Sequence, residues 1–125
     1  MISIQKLAIA SIIAIATITS CKKEDTTPVS PTTFDCTSTT PTYTIDVKPI
    51  MDNNCATSGC HSSSSRADGK DFSTYNAVKN GSSSNSFMGS IQHLSGYQAM
   101  PQGKSKLSDA QIKTISCWIE NGKPE

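Results

Sequence analysis

The chain has 125 residues, with 11 Lys and Arg against 10 Asp and Glu and a formal net charge of +1. That length holds at most one small domain, and with no basic stripe and only 6% aromatic residues nothing in it fits a nucleic-acid partner. Large apolar side chains are scarce while Ser, Thr, Asn and Gly abound, and a small domain with so thin a core needs a staple, a metal or a cofactor.

In chain order, residues 1–20 open with Lys6 as their only charge and continue as an apolar run from Leu7 to Ile18. The run is too short to cross a bilayer as a helix, which takes about 20 residues, and has the length of a secretory signal. It ends in Ile18-Thr19-Ser20-Cys21, which resembles a bacterial lipoprotein cleavage box. The resemblance implies removal of 1–20 and a lipid on Cys21 as the new N-terminus; the alternative is an ordinary signal peptide with a cysteine nearby. Cleavage would remove only Lys6 among the charged residues and leave acid and base in balance. Residues 21–42, charged and then rich in Thr and Pro with no apolar period, read as a flexible tether between membrane and domain. Lys22-Lys23-Glu24-Asp25 also resembles the charged stretch that sends some lipoproteins to the cell surface, so an outer-membrane location facing either the periplasm or the exterior stays open.

The domain is expected at 43–125. Val47, Ile50 and Met51 share one helix face, with Thr44 as N-cap and Pro49 about a turn inside, so this helix is short or kinked. Residues 62–70 read as a loose serine-rich loop, 73–79 as a short helix stopped by Asn80-Gly81, and 86–93 as another with Phe87 and Ile91 on one face. A Gly/Pro-bearing loop surrounds Met100-Pro101. The final helix has the strongest signals: Ser108 and Gln111 form a capping box, Leu107 staples onto Ile112, Ile112, Ile115 and Ile119 make an apolar stripe, and Gly122 stands at the C-terminal cap. No segment alternates as a strand does. The class is all-α with long loops.

The chemistry lies in Cys55-Ala-Thr-Ser-Gly-Cys60-His61. Two thiols and an imidazole this close can form a local disulfide, contribute to a metal site or attach a haem. Zinc needs further ligands, and the only other histidine, His93, stands alone with no second cysteine pair. Haem attachment needs two thiols that reach two vinyl groups and a histidine directly after the second, usually as C-x-x-C-H. Here four residues intervene, and Ser58-Gly59 is composition that lets the loop bulge. The motif favours haem over a local disulfide, which remains the alternative in an oxidising compartment.

From Tyr43 to Gly122 the sequence resembles the small c-type cytochrome domains of exported bacterial proteins. The likeness rests on Ile45-Asp-Val-Lys-Pro-Ile50, Gly59-Cys60-His61, Tyr75, Met100-Pro101, Leu107-Ser108, Ile115, Trp118-Ile119 and Asn121-Gly122. Members of that group include ones with the four-residue gap. The resemblance implies a helical fold around one covalent haem c, with His61 and Met100 as iron ligands; His93 and Met88 are the rivals of Met100. Trp118, Ile115, Tyr75, Ile50 and Met51 are expected to pack around the macrocycle, and Arg66, Lys70 or Lys104 to screen a propionate.

With Cys21 and the haem pair assigned, Cys36 and Cys117 remain, and an even remainder outside the cytoplasm is most simply a disulfide rather than two buried thiols. The expected function is electron transfer to an unknown redox protein rather than catalysis, from a membrane-anchored position. The alternatives are a haem enzyme or sensor with a displaceable distal ligand, and a non-haem binding domain stapled by Cys55–Cys60.

Overall fold

The computed structural model describes residues 31–125. The signal segment, Cys21 and the first part of the tether fall outside the described residues. Among the described residues the fold is all-α, with helices α1 (Lys48–Asn54), α2 (Tyr75–Gly81), α3 (Asn85–Ile91) and α4 (Asp109–Glu120) and no strand. A wide π turn, Tyr43–Val47, leads into α1, and a 3-10 turn, Ala67–Gly69, interrupts the first long loop.

Helix α4 is built as its sequence dictates. The Ser108 hydroxyl accepts the Gln111 amide at 3.2 Å, and the Gln111 side chain accepts the Ser108 amide at 3.0 Å, so two amides that no helical carbonyl could serve are satisfied. Leu107 is buried in the same cluster as Ile112. At the far end Lys123 donates its amide to the Trp118 carbonyl and Gly122 to that of Ile119, around a left-handed Gly122 with φ +83°. This is the paired C-terminal cap in which glycine avoids the Cβ penalty.

Two helix starts differ from expectation for stated reasons. Pro49 sits in the first turn of α1 but, because the π turn runs into α1 without a break, about a turn inside the continuous helical segment, as the sequence predicts. Because Pro49 cannot donate to the Ile45 carbonyl, the preceding turn widens, with the Asp46 and Val47 amides both donating to the Thr42 carbonyl. Asp46, not Thr44, does the capping: its carboxylate accepts the Thr42 amide at 2.7 Å. In α2 the cap is Thr74, whose hydroxyl accepts the Ala77 amide, and the helix runs through Asn80 and Gly81 instead of stopping before them. Gly81 is needed for close approach, since a Cβ there would collide with the Phe72 ring.

The fully buried large side chains, Val47, Met51, Val78, Ile112, Ile115 and Trp118, form the core between the π turn, α1, α2 and α4. The C-terminal tail closes over it. The Trp118 indole donates to the Pro124 carbonyl at 2.7 Å, the Tyr43 amide donates to the same oxygen at 2.9 Å, and the Tyr75 hydroxyl donates to the Lys123 carbonyl at 2.8 Å. The Tyr43 ring lies 5.2 Å from that of Tyr75 and 6.0 Å from that of Trp118. Tyr75 is therefore part of a polar-tipped aromatic cluster.

Packing also reaches back past Tyr43. Phe34 leans on the core, Cys36 is buried, and Cys36 is bonded to Cys117 of α4 across 81 positions of sequence. The Asn121 side chain donates to the Thr39 carbonyl at 2.9 Å beside it. Closing so long a loop restricts the unfolded chain by about 4 kcal/mol. Replacing Cys36 and Cys117 together by Ala is expected to lower the unfolding free energy by about that amount, read from the urea midpoint with the slope held fixed.

Candidate functional site

Helix α1 hands the chain directly to the cysteine loop. The Cys55 and Ala56 amides both donate to the Met51 carbonyl at 2.8 Å, which fixes where the first thiol leaves the helix. The two extra residues of the long gap are taken up by a tight turn in which the Cys60 amide donates to the Thr57 carbonyl. Gly59 stands at the third position of that turn with φ +78°, a conformation that favours glycine. The His61 amide then donates to the Cys55 carbonyl at 3.0 Å, so the backbones of the first cysteine and the histidine stay joined despite the insertion.

The serine-rich stretch after His61 is well bonded, not loose. The Ser65 hydroxyl accepts the Gly59 amide at 2.9 Å, and the Arg66 amide donates to the Ser62 carbonyl at 3.0 Å. The Cys60 carbonyl accepts the Ala67 amide and the His61 carbonyl accepts that of Phe72. Short hydroxyl side chains that bond neighbouring backbone give this loop its order, although it carries no apolar pattern.

His61 is buried, with its ring 4.9 Å from that of Phe72. Its Nδ1 lies 3.3 Å from the Lys70 carbonyl. A carbonyl only accepts, so the proton belongs on Nδ1, and Nε2 keeps a lone pair for a metal; this is the arrangement that orients ligating histidines.

Cys55, Cys60, His61 and Met100 line one cavity of about 640 Å³, a volume within the range of cofactor sites. Phe72, Phe87, Ile91 and Tyr97 give it an apolar wall. Burial pushes the Cys55 thiol up to about 11, with the nearby Cys60 charge adding to the effect. At neutral pH it is an uncharged thiol in an apolar setting, unlike an activated nucleophile. Cys55 and Cys60 are free thiols here, whereas Cys36 and Cys117 are bonded. Among the described residues no three His, Cys, Asp or Glu side chains gather as a metal-holding group, and a closed zinc centre needs four protein ligands.

Of the rival iron ligands, neither Met88 nor His93 lines the cavity. Met88 packs against the core, and the His93 Nε2 donates to the Met100 carbonyl at 3.0 Å. Lys70 and Lys104 line the cavity, with Lys70 paired to Asp68, while Arg66 lies 3.6 Å from Asp71. Trp118, Ile115, Met51, Tyr75 and Ile50, expected around a macrocycle, instead belong to or pack against the protein's own core, and none of them lines the cavity. The wall residues that sequence reasoning misses are Phe72 and Tyr97. Their signal is indirect: each aromatic lies in a loop, and each rests on a glycine inside a helix, Gly81 and Gly89. No family model, curated protein or solved structure matches the chain.

A Cβ built on Gly89 would stand 2.6 Å from the Tyr97 ring. Alanine gains roughly 1 kcal/mol of helix propensity there but overpacks the contact by about 1–3 kcal/mol. Gly89→Ala is therefore expected to destabilise by about 1 kcal/mol in thermal or urea unfolding, from the balance of those two effects. In a Tyr97→Ala background the same change should become neutral or stabilising.

Proposed function

We propose that this chain is an exported mono-haem c-type cytochrome that carries electrons, tethered to a membrane through a lipid on Cys21. The reading is carried by one observation: two free thiols, an imidazole with its Nε2 lone pair available, and a thioether from a distant loop all line one apolar cavity of cofactor size. Cys55 and Cys60 would hold haem c covalently, with His61 and Met100 as its iron ligands. Haem supplies a one-electron couple, and imidazole with thioether ligation raises its potential.

The chain's own residues do the rest. The Lys70 carbonyl favours one tautomer of His61, the Phe72 ring packs against the imidazole, and the apolar wall would contact a bound macrocycle. With His61 and Met100 both as ligands no position would be open for substrate, which favours a carrier rather than a catalyst. Lys104, on the cavity lining, is the side chain best suited to a propionate, since Lys70 and Arg66 face Asp68 and Asp71. The Cys36–Cys117 disulfide supports an oxidising compartment, as an exported lipoprotein requires. The redox partner would be a protein docked briefly over a small interface.

Protein matured in a periplasm competent for cytochrome c assembly is expected to gain the mass of one haem that survives acid-acetone extraction. Replacing both Cys55 and Cys60 by Ser should abolish that gain. Met100→Ala should keep the haem but lose the thioether–iron charge-transfer band. Colourless wild-type protein with Cys55 bonded to Cys60 would sink the proposal. For the anchor, Cys21→Ser is expected to move the protein from the membrane to the soluble fraction, read by fractionation.

A further inference from the structure

Helix α3 ends in an unusual residue. The Leu94 amide donates to the Gly89 carbonyl at 2.9 Å and the His93 amide to that of Ser90 at 3.2 Å, the same pair of bonds that closes α4. In α4 the left-handed position of this cap is Gly122; in α3 it is His93, with φ +56°. A residue with a Cβ is strained there, and glycine is the ordinary choice. Strain of this kind persists where something else requires the side chain.

What the side chain does is visible in its contacts. The His93 Nε2 lies 3.0 Å from the Met100 carbonyl, and because a carbonyl only accepts, the imidazole donates. The Met100 amide donates to the Ser90 carbonyl at 3.0 Å. Both backbone polar groups of Met100 are thus held by the end of α3, one by its main chain and one by His93. The ring of Tyr97, three residues before Met100, lies against Gly89 of the same helix. Met100 lines the cavity and His93 does not.

We infer that His93 is a positioning residue: it accepts a left-handed backbone so that its imidazole can clamp the Met100 loop and hold the thioether at the cavity. The inference rests on the haem reading and deepens it. A thioether is a weak, uncharged ligand, and it resists displacement to the extent that its loop is already held in place. The Ser90 anchor alone leaves the Met100 carbonyl free to turn away.

The test is an imidazole titration of the ferric, haem-loaded full chain, paired with thermal unfolding. His93→Gly removes the clamp but relieves the backbone, so the melting temperature should stay level or rise while imidazole binds about tenfold tighter, the loss of one hydrogen bond. His93→Gln, whose amide nitrogen can reach the same carbonyl, should bring the affinity back toward wild type. An unchanged imidazole affinity in His93→Gly overturns the inference while leaving the haem reading intact. So does a tighter affinity accompanied by a fall in melting temperature without rescue by Gln, and so does a wild-type spectrum of two histidine ligands, which would make His93 itself the ligand. A wild type without covalent haem overturns the haem reading and this inference with it.

Discussion

The chain has few large apolar side chains, and it divides them between a closed core and the wall of one cavity. Val47, Met51, Val78, Ile112, Ile115 and Trp118 bury one another, and none of them lines the cavity. The two ends of the domain are tied over that core by the Cys36–Cys117 bond and by the tail that caps Trp118 and Tyr43. The stretch from Cys55 to Lys104 sends Phe72, Val78, Phe87 and Ile91 into the same cluster, and the rest of it is organised by backbone hydrogen bonds and two helix-borne glycines around a space about 640 Å³ in volume. A protein of this size that sets so much of its chain around an opening has a thin margin of burial, and a bound apolar group there would add to its stability by mass action.

Within that stretch the geometry is held locally. The His61-to-Cys55 bond fastens the cysteine loop to itself, the Ser65 and Ala67 bonds fasten the following loop to it, and the end of α3 grips the loop of Met100. Each device rests on hydrogen bonds of backbone or side-chain polar groups. That is why the loops keep defined shapes without an apolar stripe of their own.

The sequence makes α4 legible to the residue, because cap, staple, stripe and terminal glycine all point the same way and nothing in the tertiary structure opposes them. The all-α class and the closeness of the two thiols to His61 are equally readable, and counting cysteines leads to the Cys36–Cys117 pair that the fold contains. What cannot be read are choices made by contacts across the chain. Pro49 announces an irregular helix, but that the irregularity is a π turn is settled by the Asp46 and Val47 amides sharing the Thr42 carbonyl. Gly81 looks like a stop signal, yet its purpose is to let Phe72 approach. The sequence reveals a histidine at 93 but not the direction of its ring, which faces the Met100 carbonyl. Trp118 and Tyr75 look like cofactor packing because aromatic residues serve either purpose, and only the tail's carbonyls show which.

The packing of Phe34 and Cys36 would also set how far the domain could roam from a lipid anchor. The Thr32 amide already donates to the Gln92 side chain at 2.9 Å, so the chain is fixed to the fold from that point onward. Were Cys21 lipidated as proposed, the leash would be the short run of residues between the two, whose full extension is on the order of 40 Å. Such a leash would confine the domain to a shallow shell above the bilayer, where the local concentration of membrane-bound neighbours is high.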